Sequence, residues 1–450
     1  MGDEHLLSRR CYGVWPGRLS SMTSIRLPAP QRFAGAIRVP GDKSISHRAV
    51  LFAALARGTT HIRNLNRGDD VGASVVALRA LGVQASADDG QLCVAPVQPF
   101  RDPQGSIDCG NSGTTMRLLA GMLAGSVNAL LDGDESLRRR PMERIAAPLR
   151  AMDADVTCGP HGLPPVRIAR NDKPLRGVTH DLPVASAQLV SSLLLAGVRA
   201  RGTTTIHVPA QPRNHGELML RAMGAAIDWT ARSVSIKASK LHALDTYDVP
   251  GDLSAAAYFI AAATCLTDSR ISVLDTGVNP SRVGVLDVMR EMGAHIGIKA
   301  LRERHGEPSA DIEVSASEPL RNIEISSSRI PNLIDDIPLL CALAAHADGT
   351  LVARGLAELR VKESDRIAST IALLRAFGVA VAEIPDGISV RGGRPLRPPE
   401  RVSTGGDHRI GLTAATLAAM ARSPIVIDDA ECIATSFPDF ATSWQAAFAR

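Results

Sequence analysis

Residues 39–48 read VPGDKSISHR, and residues 249–258 read VPGDLSAAAY. The second stretch lies 210 residues after the first, and the likeness continues: AVLFAALARGTTHI after the first is answered by FIAAATCLTDSRI in the second. The chain therefore holds two related halves. The first copy carries Lys43, Ser44, His47 and Arg48 where the second has Leu253, Ser254, Ala257 and Tyr258. The scaffold is shared and the charged groups are not, which separates what folds from what acts.

Each half repeats again. A small-residue helix, a Gly or polar break and a short strand recur at ARGTTHI (56–62), AGSVNAL (124–130), ARGTTTI (200–206), LTDSRIS (266–272), ADGTLVA (347–353) and ARSPIVI (421–427). A second helix pattern carries the aligned residues Arg79, Arg150, Arg221, Arg290 and Arg375, and the sixth copy is cut short at the C-terminus. Gly82, Gly224, Gly293 and Gly378 follow four of these helices, where a left-handed C-terminal residue is wanted. Helical patterns alternate with β-branched runs, so each unit reads as mixed α/β. Units of about 70 residues exceed solenoid repeats, which run to ~50. Two globular domains of three units each are expected.

Of the 450 residues 45% are hydrophobic, enough for two cores, and only 3% are aromatic, so packing through Ala, Leu, Val and Ile is expected. The net charge of +4 suits small anionic substrates and does not argue for nucleic acid. No apolar run reaches the ~18 residues of a membrane span. Seven scattered cysteines with no C-x-x-C support neither a zinc site nor a disulfide framework, so a reducing cytoplasm is the default. Residues 1–23 lack the apolar segment of a secretory signal and are expected to form a disordered tail, with Met22 a candidate start.

Helix N-termini offer free N–H groups and positive dipole ends to anions. Four of the six units are dense in polar groups at that point, at KSISHR (43–48), GNSGTTMR (110–117), ASAQ (185–188) and GDHRI (406–410); a fifth, IDDIP (334–338), places paired carboxylates there. Helix starts from both domains facing a common cleft would converge on an anionic substrate.

VPGDKSISHR, DCGNSGTTMRLLAG, GDESLRRRPM, PVASAQLVSSLLLAG, LIDDIP, ELRVKESDRI and GDHRI together resemble the 3-phosphoshikimate 1-carboxyvinyltransferase, or EPSP synthase, family, over about residues 24–450. ASAQ and the SFPDF ending resemble the second of its two bacterial branches. The resemblance implies an α/β (α+β) enolpyruvyl transferase fold of two domains with six βαβαββ repeats, three per domain. Residues 24–42 plus 253–450 would form the first, discontinuous domain and 43–252 the second, with the chain crossing at each VPGD segment and substrate drawing the halves together. The implied reaction joins the 5-hydroxyl of shikimate 3-phosphate to phosphoenolpyruvate and releases phosphate, in the shikimate pathway to chorismate and aromatic amino acids. It needs no cofactor or metal, and a cytoplasmic monomer acting on small molecules, without nucleic acid or membrane, is expected.

Forming an enol ether this way requires protonation of a methylene, attack by a hydroxyl, and loss of a proton and phosphate from the adduct. An acid/base pair and a cationic clamp must supply that chemistry. By resemblance, Asp335 is the base near the sugar hydroxyl, Glu363 the proton-transfer group near the methylene, and Lys43 a catalytic cation. Lys43, Ser44, Arg48, Ser186, Gln188, Arg213, Asp335 and Lys362 match shikimate 3-phosphate ligands. Lys43, Gly113, Arg140, Gln188, Arg366 and Arg409 match phosphoenolpyruvate ligands. Arg gives planar bidentate contact with carboxylate and phosphate, and Gly113 leaves room for close backbone approach. Out of context, KESDR is a salt-bridged surface helix start, RRRPM a solvated loop and ASAQ a helix cap. Arg117 and Asn111 serve the GNSGT turn or a ligand, and His47 and His408 are expected to be hydrogen-bonded scaffold.

The sequence also departs from the family pattern. Pro212 and Gly216 stand where hydroxyl-bearing residues are usual, Asp336 where Glu is common, Leu118 where the other branch has proline, and Thr435 where it has lysine. A sister transferase acting on a UDP-amino sugar should carry Lys-Asn after the first strand and a reactive loop cysteine, and neither is present. A non-enzymatic scaffold should have lost several of Lys43, Asp335, Glu363 and Arg409, and all four remain. A related RNA-end cyclase would need a nucleophilic histidine and a nucleotide site that the motifs do not supply.

Overall fold

Six helices built from Ala, Leu and small polar residues recur along the chain: α1 (Lys43–Ala53), α2 (Gly113–Leu123), α3 (Ala187–Gly197), α4 (Leu253–Cys265), α5 (Ile337–His346) and α6 (His408–Met420). They start at the segments whose polarity stands out in the sequence. This computed structural model describes residues 23–448 apart from 89 and 318, so the tail expected over residues 1–23 lies, but for its last residue, outside the described residues. Every residue of α4 and α6 is buried, as are nine of ten in α5. Helices surrounded by protein need small side chains to approach one another, which is why the aromatic content is low. The aromatics that exist are concentrated: Phe33, Phe259, Phe437, Phe440 and Trp444 pack as one cluster, with the Phe259 and Trp444 rings 5.0 Å apart. That cluster amends the expectation of purely aliphatic cores.

A left-handed residue closes the turn after each of the six helices: Gly58, Gly125, Gly202, Asp268, Gly349 and Arg422 all have positive φ. Among the second helices, Gly82, Gly224, Gly293 and Gly378 have φ of 88°, 87°, 108° and 75°, the C-terminal geometry read from sequence. The aligned arginines turn out to be struts. Arg79 Nε donates to the Ala85 carbonyl at 2.8 Å, Arg150 to Val156 at 3.1 Å and Arg290 to Ile296 at 3.2 Å, each tying a helix to the strand that follows. Arg221 instead lies 3.6 Å over the Trp229 ring.

Among the described residues the strands form six separate sheets, one per repeat. In the second repeat, Ile107–Asp108 runs parallel to Ala129–Asp132, which pairs antiparallel with Val166–Ala169, itself antiparallel to Asp155–Cys158. The same order recurs in the third and fifth repeats, at Thr179–Asp181, Thr203–His207, Ser233–Lys237 and Ile227–Trp229, and at Glu324–Ile325, Thr350–Arg354, Gly387–Arg391 and Ala380–Ile384. In the first and fourth repeats the parallel strand comes from far along the chain. Thr246–Asp248 lies against Thr60–Arg63, and Ala34–Ile37 against Arg270–Gly277. The shortened sixth copy is completed by the N-terminal strand Ser24–Leu27, antiparallel to Ile425–Asp428.

The chain divides into two units. One contains Gly41–Val249 with Arg304–Glu307; the other contains the described residues up to Pro40, Pro250–Glu303 and the described residues from Pro308 onward. Each has its own core, α1–α3 in the first and α4–α6 in the second. In the first unit α2 and α3 come into close contact at Gly121, where an added Cβ would stand 1.9 Å from the Ser192 carbonyl oxygen. Ser192 Oγ donates to the Arg117 carbonyl at 2.6 Å across the same contact. Gly121→Ala should force the two helices apart, at a cost on the order of 3 kcal/mol. Gly105→Ala, where a Cβ meets nothing within 4 Å, is the control. Denaturant titration of the two variants should show a large loss for the first and almost none for the second; equal effects would mean the helix contact relaxes freely.

Candidate active site

In the first unit the polar helix starts are tied to one another. Asp42 caps α1, accepting from the Ile45 amide at 2.9 Å, and Lys43 follows with Nζ 2.9 Å from Asp70 Oδ2. Asp70 was not evident from sequence, although GDD (68–70) lies at the start of the next helix, Asp69–Ala80. Ser44 is half-buried and its carbonyl accepts from Arg48 at 3.0 Å. Arg48, 2% exposed, also donates to Ser191 Oγ at 3.0 and 2.8 Å and to the Ala187 carbonyl at 3.1 Å. Burial lowers its pKa from the ordinary arginine range, with the nearby carboxylate of Glu217 acting against it.

Ser112 caps α2 and Gly113 is its first residue. A Cβ on Gly113 would meet Arg117 Nη1 at 2.8 Å and Arg140 Nη1 at 3.3 Å, so the glycine makes room for two guanidiniums. Arg117 donates to Gln188 Oε1 at 2.7 Å, and Gln188 Nε2 donates to Thr114 at 2.8 Å, which stitches α2 to the start of α3. Ser186 is the cap of α3, accepting from the Leu189 amide. Of the three arginines in RRRPM only Arg140 is buried, at 7% exposure, held by Asn111 Oδ1 at 2.6 Å and Ser136 Oγ at 3.1 Å. Arg138 and Arg139 are exposed and pair with Asp132 and Glu135. The solvated-loop reading therefore fits two of the three arginines. His47 is buried, with Nδ1 2.8 Å from Ser74 Oγ. Burial, followed by the charges of Lys43 and Arg48, pushes its pKa well below the ordinary range, which makes it neutral scaffold.

The second unit gathers carboxylates around arginines. Asp335 is partly exposed and accepts from Lys362 Nζ and Arg366 Nη1, both at 3.2 Å. Glu363 accepts from Arg366 Nη2. Arg366, 1% exposed, is held from behind by Asp407, with Nε 2.8 Å from Oδ2. Burial alone would lower the arginine pKa, but the carboxylates of Asp407, Glu363 and Asp335 together outweigh it and raise it. Asp336 is 1% exposed and accepts from Arg409 Nη1 at 3.0 Å. The adjacent acids of IDDIP thus differ sharply: Asp335 reaches solvent, and Asp336 is internal. Asp407 caps α6, accepting from the Arg409 amide at 2.9 Å, and it is the second unforeseen residue. Its position in GDHRI, matching the capping aspartates of both VPGD segments, is the signal that could have found it. KESDRI is a surface salt-bridged start only in part: Asp365 pairs with the exposed Arg360, while Arg366 is buried. Thr435, at the lysine position, donates to the Cys432 carbonyl at 2.7 Å and ends a 3-10 turn.

Among the described residues, no helix is long and apolar enough to cross a membrane. Residues 27–444 match the model of the EPSP synthase (3-phosphoshikimate 1-carboxyvinyltransferase) family. A 3-phosphoshikimate 1-carboxyvinyltransferase of Syntrophotalea carbinolica is 44% identical over 91% of this chain and 95% of its own length. One from Synechococcus sp. (strain JA-3-3Ab) is 41% identical over 95% of this chain and 97% of its own. Among solved structures, the EPSP synthase from Acinetobacter baumannii superposes with a TM-score of 0.83 at 38% identity, covering 94% of this chain and 98% of that one. The enolpyruvyl transferase NikO from Streptomyces tendae shares the fold at 20% identity, with a TM-score of 0.75 over 96% of this chain and 98% of its own.

Gly216 departs from the family pattern for a visible reason, whereas nothing in the structure explains Pro212. A Cβ on Gly216 would stand 2.8 Å from Ser191 Oγ and 3.3 Å from Arg48 Nε, so glycine is what lets the Ser191 hydroxyl bond Arg48. Arg213 is half-buried just before the helix His215–Ala222. Glu217, in that helix, is 2% exposed, and burial raises its pKa to about 7. Near pH 4 the carboxyl is protonated in folded and unfolded chains alike and costs nothing. As pH rises to about 7 the unfolded chain releases the proton while the folded chain retains it, so stability falls by about 3 kcal/mol and stays low above that. Glu217→Gln should therefore change the thermal midpoint little at pH 4.5 and raise it at pH 8. An equal shift at both pH values would show that the carboxyl does not titrate in the folded protein.

Proposed function

The chain belongs to the EPSP synthase (3-phosphoshikimate 1-carboxyvinyltransferase) family, and on that premise we propose how its own residues divide the reaction. The protein is a transferase that moves the carboxyvinyl group of phosphoenolpyruvate to the 5-hydroxyl of shikimate 3-phosphate and releases phosphate, a step of the shikimate pathway. The observation that carries the assignment of roles is the pair Asp335 and Glu363, two partly exposed carboxylates bridged by one buried guanidinium. Arg366 alone faces three carboxylates, and Lys362 adds one more positive charge. An anionic ligand entering there meets an excess of negative charge unless one carboxyl carries a proton. We assign that proton to Glu363, which is partly exposed beside the Arg366 guanidinium, while Asp335 accepts from both Lys362 and Arg366 and Asp407 is held inside against Arg366 Nε.

Glu363 gives its proton to the methylene carbon, making a methyl group, as the 5-oxygen bonds to the central carbon and Asp335 takes the hydroxyl proton. In the second step the carbon–oxygen bond to phosphate breaks, Glu363 recovers a proton from the methyl group, and the enol ether forms. Lys43, Gly113, Arg140, Gln188, Arg366 and Arg409 are the phosphoenolpyruvate ligands. Lys43, Ser44, Arg48, Ser186, Gln188, Arg213, Asp335 and Lys362 are those of shikimate 3-phosphate. Support comes from the placement of Lys43, Ser44, Ser186 and Gln188 at capped helix starts and of Arg140, Arg366 and Arg409 on carboxylate or amide anchors. We place the protein in the second bacterial branch on ASAQ and SFPDF, and read it as a cytoplasmic monomer acting on small molecules without nucleic acid or a membrane.

Phosphate release should require both substrates when each is omitted in turn. Asp335→Asn and Glu363→Gln should each lower turnover on the order of 10²-fold while leaving the circular dichroism spectrum intact. Near-normal turnover in both variants would remove them from the mechanism.

Glyphosate occupies the phosphoenolpyruvate site in this family, and Gly113 leaves the space beside Arg140 open to it. A methyl group at 113 would press on the Arg117 and Arg140 guanidiniums. Gly113→Ala should raise the glyphosate inhibition constant more than the Michaelis constant for phosphoenolpyruvate, because the longer ligand has less room to yield. Equal shifts in the two constants would place Gly113 away from the discriminating end of the ligand.

A further inference from the structure

In the second unit another buried arginine stands behind Arg409, on a segment, GVNPSR (277–282), that carries no motif of its own. Arg282 ends a stiff turn: its amide donates to the Asn279 carbonyl at 2.8 Å, and Asn279 Oδ1 accepts from the Ser281 amide at 2.8 Å and the Ser281 hydroxyl at 2.7 Å. The Arg282 side chain is 4% exposed, and its guanidinium is turned to carboxylate and hydroxyl groups of the protein. Its Nη1 donates to Asp336 Oδ2 at 3.2 Å, its Nη2 donates to Ser254 Oγ and lies 3.6 Å from Asp252 Oδ1. Asp336 turns its other oxygen, Oδ1, to Ser254 Oγ at 2.6 Å and to Arg409 Nη1 at 3.0 Å.

We propose that Arg282 is a positioning residue for the phosphoenolpyruvate clamp, acting through Asp336 to fix Arg409 and to keep its charge available to the ligand. This rests on the assignment of Arg409 to that ligand. Asp252, Asp336, Arg282 and Arg409 form a cluster of two negative and two positive charges in which Arg282 answers the carboxylates from the inner side. With the inner cation present, Asp336 need give Arg409 only one oxygen, and much of the Arg409 guanidinium remains uncommitted to Asp336. Without it, Asp336 and Asp252 lose a cation that faces both. Arg409 is then drawn inward to satisfy them, since an uncompensated buried charge is far more costly than a weakened outward contact. The repeat shows how the arrangement is built. Ser254 occupies the place that Ser44 has in the first copy, and its hydroxyl is committed to Asp336 and Arg282.

The test is steady-state kinetics on the full chain with Arg282→Met, Arg282→Lys and Arg409→Met, together with thermal midpoints. Arg282→Met should raise the Michaelis constant for phosphoenolpyruvate about tenfold, a loss of ~1.4 kcal/mol in binding. The constant for shikimate 3-phosphate and the turnover number should move much less. Arg282→Lys keeps the charge without the planar fork and should recover part of the effect. A second rescue comes from Arg282→Met combined with Asp336→Asn, which removes one charge of each sign and should bring the phosphoenolpyruvate constant back toward that of the parent. If Arg282→Met does not fold, Arg282→Lys and Ser254→Ala carry the same comparison, each weakening the hold on Asp336. A lower thermal midpoint with both Michaelis constants moving equally would reduce Arg282 to a structural role and overturn the proposal. So would an unchanged phosphoenolpyruvate constant in Arg282→Met when Arg409→Met raises it. If Arg409→Met itself leaves that constant unchanged, the assignment of Arg409 falls and the role of Arg282 falls with it.

Discussion

A helix buried on every side can show polar chemistry only at its ends, and that constraint governs this molecule. The inner helices are walled in by strands and by one another, so neither their sides nor their carbonyl ends can take charge without loss. Their N-termini can, because the first amides are unsatisfied and the dipole favours anions. The capping residues Asp42, Ser112, Ser186, Asp252 and Asp407 close part of that demand and fix the direction in which the next residues leave. Lys43, Gly113, Gln188 and Arg409 all lie within two residues of such a cap. The chemistry therefore sits where packing allows it to sit.

Charge is the second constraint, since cations placed to meet anions must survive without them. Lys43 rests on Asp70, Arg366 on Asp407, and Arg409 on Asp336. Each pairing removes the desolvation problem of a lone buried cation and holds the group still, at some expense in attraction for the ligand. Where the anchoring carboxylate is fully buried, as with Asp407 and Asp336, it cannot follow the cation toward a ligand, so the geometry is preset. Asp335 and Glu363, by contrast, reach solvent, so the two sorts of carboxylate differ in burial and not in residue type.

Much of this was legible from the chain alone. Local periodicity gave the six inner helices, and the glycines after the second helices gave their ends, because both signals depend on neighbours a few residues away. The segments VPGDKSISHR, IDDIP and KESDRI pointed to the groups that the structure sets at helix starts. Pairings across long separations were not legible. Nothing in Ser24–Leu27 announces that it completes the sheet of the sixth repeat some 400 residues later, and a shortened final copy was the natural reading. Asp70 and Arg282 escaped for the same reason, as each acquires meaning only from a partner in another segment, and so did the hold of Asp407 on Arg366, although its capping position was there to be read. Gly216 was read as a missing hydroxyl; in three dimensions it is the space that admits the Ser191 hydroxyl to Arg48.

The internal repeat explains why one half could specialise while keeping its fold. The capping aspartate of VPGD is retained in both copies, since without it the helix start loses its amide partner. The residue after it is Lys in one and Leu in the other, and both are tolerated because position one of the helix is set by backbone geometry and not by its side chain. Serine follows in both copies, yet Ser44 lies half-buried at its helix start while Ser254 turns inward to Asp336. Leu253 is 1% exposed within the apolar core of its unit, where a lysine would be a buried charge, whereas Lys43 is partly exposed and has Asp70 to receive it.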